Sequence, residues 1–133
     1  MKYFKMTEFA CKCGCGLVSM HYRLMELLDN AREVAGVPFD ITSGCRCEKH
    51  NVEKGGEPDS SHLPLKSNAF YCTAVDILTV NSAERYTILR ALFMVGFNRI
   101  GLGKDFIHVD IDPNKIQNRF WHYYEKNNRR NIL

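Results

Sequence analysis

The chain has 133 residues, 45% apolar and 25% charged, with a formal charge of +3. That length supports one domain, 1–133, with a proper core, and the mix excludes a disordered or fibrous protein. The charge is too mild to argue for nucleic acid, and no segment approaches the roughly 20 apolar residues that span a bilayer.

The lead, Met-Lys-Tyr-Phe-Lys-Met-Thr-Glu, carries no apolar run of signal-peptide length. The expectation is a chain made in the cytoplasm, for which an exported disulfide framework is disfavoured. Cys11, Cys13 and Cys15 then alternate, Cys45 and Cys47 flank Arg46, and Cys72 stands apart. Zinc ribbons use Cys-x-x-Cys, and the Cys-x-Cys spacing here departs from it. The six cysteines are therefore read as structural, as buried thiols or a disulfide formed after release from the cell.

Over residues 19–35, Met20, Leu24, Leu27, Leu28, Ala31, Val34 and Ala35 recur at steps that place them on one helix face. Ser19 is expected to cap this helix, and Gly36 with Val37-Pro38 to end it. Residues 39–42 read as a strand entering the turn Ser43-Gly44, and residues 45–52 as a brief helix. Residues 53–71, with Gly55-Gly56, Pro58 and Pro64, read as a long loop, which in a compact domain is usually functional or mobile.

Residues 72–78 read as a buried strand. Asn81-Ser-Ala-Glu84 matches a helix capping box, with Tyr86, Leu89, Leu92 and Phe93 as the core face and Gly96 as the stop. Strands follow at 99–102, 106–111 and 120–124, the first two joined by a tight Gly-Lys-Asp turn, with a turn at Asp112-Pro113-Asn114. Residues 126–130 read as a solvated basic tail. The class is α+β, helices packed on a small antiparallel sheet.

Two positions in these strands carry chemistry. A carboxylate in the apolar run Ala-Val-Asp76-Ile must be paired, hydrogen-bonded or coordinated, since leaving it bare costs several kcal/mol or shifts its pKa. His108 poses the same problem in Phe-Ile-His-Val-Asp-Ile. The two-residue period puts Phe106, His108 and Asp110 on one face and Ile107, Val109 and Ile111 on the other. With His62 in the preceding loop, His62, Asp76 and His108 are three side chains of the kind that hold a catalytic zinc and leave its fourth position open; the alternative is histidines satisfied within the core.

The run Ile41-Thr-Ser-Gly-Cys-Arg-Cys47, then His50-Asn51, Gly55-Gly56, Ser60-Ser-His-Leu63, Ala74-Val-Asp-Ile77 and Phe106-Ile-His-Val-Asp-Ile-Asp-Pro113 resembles the zinc D-Ala-D-Ala carboxypeptidase and L-alanyl-D-glutamate peptidase family. It is especially similar to small phage and prophage members with a cysteine-containing lead. The resemblance covers nearly the whole chain and implies a hedgehog-like fold, Zn²⁺ on His62, Asp76 and His108, and Arg46 holding the substrate carboxylate or its carbonyl oxygen. A guanidinium suits that task, being permanently charged and able to grip a carboxylate through two parallel hydrogen bonds. Ser61, or Ser60 beside it, is a further candidate substrate contact, the alternative being that these serines shape the turn.

Relatives commonly place Glu or Asp three residues before the last histidine ligand, which is Asp105 here. Asp110 is the rival for moving protons, or orients a ligand instead. Phe106 stands where many relatives have a histidine. Fourteen residues separate His62 from Asp76, where the family pattern has seven, which implies an insertion at about 63–71 that either rims the cleft or displaces His62. Trp121, Tyr123 and Tyr124 are assigned to packing or a strand face, His50 to fixing the loop that leads to the zinc, and His21 and His122 are given no role.

The expected activity is zinc-dependent hydrolysis of peptidoglycan stem peptides, either D,D-carboxypeptidase or L-alanyl-D-glutamate endopeptidase, by a monomer encoded by a phage or prophage. It would act on the cell wall after release or from the virion, with no nucleic-acid or membrane partner. The alternatives are an inactive wall-binding or phage structural module of the same fold, and a cysteine-dependent zinc protein that binds nucleic acid.

Overall fold

The computed structural model describes residues 1–123; Tyr124 and the basic stretch 126–130 lie outside them. Helix α1, Tyr22–Ala35, buries Leu24, Met25, Leu27, Leu28 and Ala31, while Val34, expected on that face, is exposed. His21 caps it, its Nδ1 accepting the Arg23 N–H at 3.0 Å. The expected cap, Ser19, donates its hydroxyl to the Phe70 carbonyl instead (3.0 Å), because the strand-like pairing of Met20 with Cys72 holds the lead extended up to the helix. Gly36, with φ +69°, ends the helix in the left-handed region.

Strand β1, Ile41–Ser43, and helix α2, Glu48–Glu53, flank the Gly44–Cys47 corner. Strand β2, Ala74–Leu78, follows the long loop, and helix α3, Ser82–Met94, is capped by Asn81 as expected, with Asn81 Oδ1 accepting the Glu84 N–H at 2.8 Å. The buried face of α3 is Ile88, Ala91 and Leu92, with Leu89 partly buried. Tyr86 and Phe93, expected in the core, are 68% and 48% exposed. This helix carries apolar residues around most of its circumference, so periodicity does not single out one face. Phe93 packs edge-on to Phe120, ring centroids 5.7 Å apart.

Among the described residues, strands β3 (Arg99–Leu102), β4 (Phe106–Asp110) and β5 (Arg119–His122) join β1 and β2 in a five-stranded sheet of order β1-β2-β4-β3-β5. The expected antiparallel sheet needs one correction: β5 pairs with β3 in parallel. Both edges of β4 are already occupied, by β2 and β3, so the chain leaving β4 crosses over and joins the free edge of β3. The fold is thus α+β, with helices packed against an open, mostly antiparallel sheet.

The sheet has two chemically different faces, as the strand period requires. Val75, Ile77, Ile100, Ile107 and Val109 point toward Leu24, Leu28, Ala31, Ile88 and Leu92 in one cluster. Each such burial contributes roughly 1.5–3 kcal/mol. Asp76, His108 and Asp110 occupy the alternate positions of β2 and β4, with Asp76 and His108 paired in register.

Cys45 and Cys72 form a disulfide, Cα atoms 5.5 Å apart, that ties the corner after β1 to the start of β2. The other four cysteines are free. No helix among the described residues is long and apolar enough to cross a membrane.

Candidate metal centre

The β2–β4 register brings Asp76 opposite His108, and the loop before β2 returns His62 to the same place. Asp76 Oδ1 lies 3.2 Å from His62 Nε2 and 2.9 Å from His108 Nδ1. At zinc–ligand bonds of 2.0–2.2 Å, two donors on a tetrahedral ion stand about 3.3 Å apart, so these separations match one ion between them. His62, Asp76 and His108 are all at least nine-tenths buried, which suits a site that removes water from an ion on three sides.

The far side of each imidazole fixes which nitrogen faces the ion. His62 Nδ1 lies 2.7 Å from the Gly44 carbonyl, which can only accept its proton, so Nε2 is the nitrogen that faces Asp76. His108 Nε2 lies 2.8 Å from Asp110 Oδ2, which in the same way leaves Nδ1 as the nitrogen that faces Asp76. Outer hydrogen bonds of this kind orient metal-bound histidines and strengthen them as donors. Gly44 can serve because it has no side chain: a Cβ there would stand 2.6 Å from the Phe9 carbonyl oxygen. The residues present thus fit a metal ion by number, chemistry and orientation.

Electrostatics agree. Burial favours the neutral acid at Asp76, but His62 and His108 outweigh it and hold the carboxyl well below its ordinary range. Burial also opposes charge on His108, yet hydrogen bonds to Asp110 and Asp76 raise it to about 9. Asp110 is lowered in turn: burial works the other way, but His108 and Arg99 prevail. A proton on His108 therefore neutralises the carboxylates when no cation is bound.

Arg46 sits beside the ligands on the corner after β1. Its Nε donates to Ser43 Oγ (3.0 Å), Nη1 to Asn51 Oδ1 (3.4 Å) and Nη2 to Asp76 Oδ2 (3.4 Å). Three of the five guanidinium N–H groups are engaged in this way, leaving two for a ligand. Ser61 lines the cleft, but its hydroxyl is held by Asp112 Oδ2 (2.8 Å) and Lys115 Nζ (3.0 Å). The Ser60 hydroxyl accepts the His62 N–H at 3.2 Å and so shapes the approach to the ligand.

The two candidate proton carriers part company. Asp110 is buried in the cleft wall, gripped by His108 and, at 2.7 Å, by Arg99 Nε. Asp105 is exposed in the β3–β4 turn and is not among the cleft-lining residues.

The cleft, about 460 Å³, also takes in Arg99, Lys115, Trp121 and Tyr123, none of which was assigned to a site from sequence. The Arg99 guanidinium lies over the Trp121 ring, 5.0 Å from its centroid. Alternation in β3 could have flagged Arg99, since a charge between Asn98 and Ile100 entering a buried strand needs a partner.

The enlarged loop after His62 does not displace it. The loop closes on itself through a Leu65–Tyr71 bridge, and Thr73 N–H donates to the Ser61 carbonyl at 2.9 Å. Asn68 Nδ2 donates to Asp112 Oδ1 at 3.3 Å. No residue of 63–73 lines the metal cleft; part of the loop instead faces a separate hollow beside His21 and Pro113.

In comparison with known proteins, the family model described as Peptidase M15 matches residues 2–110, which include His62, Asp76, His108 and Asp110. No curated protein and no solved structure matches significantly.

Proposed function

The chain belongs to the peptidase M15 family, and from that premise we propose that it is a zinc-dependent hydrolase of peptidoglycan stem peptides, of the D,D-carboxypeptidase or L-alanyl-D-glutamate endopeptidase kind. The observation that carries this reading is the convergence of His62 Nε2 and His108 Nδ1 on Asp76 Oδ1, with the opposite nitrogen of each ring already bonded. Three ligands of this kind leave room for a substrate or water, which is the arrangement of a catalytic rather than a structural zinc. The cysteine-containing lead supports a small phage or prophage wall hydrolase that acts on the wall after release or from the virion.

Zinc held there supplies Lewis acidity to a scissile carbonyl and a nucleophile from water near neutral pH. Arg46 positions the substrate, its two remaining N–H groups taking a carboxylate or carbonyl oxygen while Ser43 and Asn51 hold the guanidinium plane. Asp110 orients His108 by holding its Nε2 proton, so that Nδ1 is the nitrogen that would be offered to the metal. Trp121 and Tyr123 supply an apolar wall against which a peptide can lie.

Digestion of purified sacculi with and without chelator, followed by mass spectrometry, tests the proposal and identifies the bond. New peptide termini that vanish with chelator and return with zinc are expected. Tight zinc binding with no cleavage at any enzyme concentration overturns it in favour of an inactive module of the same fold.

A further inference from the structure

The four cysteines outside the disulfide are not scattered. The sulfurs of Cys11, Cys13, Cys15 and Cys47 all lie within 4.8 Å of one another, although Cys47 comes from a segment remote in sequence. Cys11 Sγ is 3.4 Å from Cys13 Sγ, and Cys13 Sγ is 3.6 Å from Cys47 Sγ. A disulfide needs about 2.05 Å, so these are not bonded pairs. Sulfurs bound at 2.3 Å to one tetrahedral ion stand about 3.8 Å apart, between the two close pairs and the 4.8 Å limit of the cluster.

From these observations we propose that Cys11, Cys13, Cys15 and Cys47 form a second, closed site for one zinc ion, separate from the cleft and structural in role.

The lead is shaped for it. In a straight strand, alternate cysteines would share a face but spread some 7 Å apart per step, too far for one ion. Gly14 (φ +86°) and Gly16 (φ +84°) lie in the left-handed region and curl the segment instead, closed by Cys11 N–H to Leu17 O at 2.8 Å and Gly14 N–H to Cys11 O at 3.3 Å. Backbone N–H groups point at the sulfurs: Cys47 N–H donates to Cys11 Sγ and His50 N–H to Cys47 Sγ, each at 3.4 Å. Such donors favour thiolate over thiol, the form a metal takes, and binding releases the thiol protons. Four sulfurs and no open position describe a structural zinc, and the softness of thiolate selects zinc over calcium or magnesium.

The site also has a place in the fold. Arg46 lies between Cys45, bonded to Cys72, and Cys47, a ligand of the second ion. The backbone on either side of the guanidinium is thereby anchored, and the lead is clipped to the start of α2.

Cobalt(II) serves as the probe. Metal-free wild-type chain, its four free thiols reduced, is expected on titration with cobalt to develop strong thiolate-to-cobalt charge-transfer absorption that saturates by two equivalents, one for each candidate site. The same absorption should appear in His62→Ala and be lost in Cys13→Ser and Cys47→Ser. Zinc-edge X-ray absorption of the zinc-loaded wild type should show a sulfur shell at about 2.3 Å, a readout independent of how the variants fold. Wild-type chain without thiolate–cobalt absorption, or zinc surrounded only by nitrogen and oxygen, overturns the proposal. So does absorption that persists undiminished in both cysteine variants. None of these outcomes depends on whether the cleft is catalytic.

Discussion

His108 Nε2 and Asp110 Oδ2 lie 2.8 Å apart on alternate residues of one strand, and Arg99 from the neighbouring strand grips the other carboxylate oxygen at 2.7 Å. This chain of contacts holds a candidate metal ligand from behind. Asp110→Asn should therefore weaken metal binding and activity by about 10- to 100-fold, the usual cost of removing such an outer partner. Competition against a chromophoric chelator measures it. Asp105→Ala, altering an exposed turn, should change either quantity by no more than about twofold.

The proton that His108 holds in the metal-free protein competes with the metal. With its pKa raised to about 9, metal affinity should climb by about tenfold per pH unit toward pH 9 and then level off. The same shift has the opposite sign for the stability of the metal-free chain. A histidine whose folded pKa is raised contributes stability that is fully present below its ordinary value of about 6.5 and is lost as pH rises through about 9. Chelator-treated protein should thus melt at a lower temperature at pH 9.5 than at pH 6.5, whereas a rise would contradict the assignment.

Arg46→Lys keeps the charge but loses the planar fork held by Ser43 and Asn51. A hydrogen bond to a charged group is worth about 1.5–3 kcal/mol. At about 1.4 kcal/mol per tenfold, kcat/KM on a stem peptide should fall by about 10- to 100-fold. Metal stoichiometry should be unchanged, which separates a substrate-positioning role from a merely structural one.

Much of this site was legible in the sequence, and for a single reason. In β2 and β4 a two-residue period separates apolar from polar positions so cleanly that Asp76, His108 and Asp110 stand out, and all three share the cleft face. Other features depend on contacts between distant segments. The Arg99–Asp110 pair exists only through the β3–β4 register, and the Cys45–Cys72 disulfide only once β1 and the loop before β2 are packed. The parallel edge strand β5 follows from which sheet edges are free, and the inward face of α3 is chosen by α1 rather than by its own pattern. The loop at 63–71 looked like a rim or a hazard, whereas it folds onto itself and onto Asp112 outside the cleft.

Gly44 joins the two halves of the site, since its carbonyl holds His62 and its bare Cα lets the Phe9 backbone approach. Gly44→Ala forces that backbone apart and should cost about 1–3 kcal/mol of stability, as overpacking commonly does. Thermal unfolding with and without zinc measures it. Because His62 loses its orienting carbonyl as well, the stabilisation gained from zinc should also shrink.

The most direct measurement is anomalous diffraction at the zinc edge from crystals of the zinc-loaded protein. The expected result is a peak within about 2.2 Å of His62 Nε2, Asp76 Oδ1 and His108 Nδ1, with the opposite ring nitrogens still bonded to Gly44 and Asp110. Absence of a peak in that cleft, or a metal bound through His108 Nε2, would contradict it.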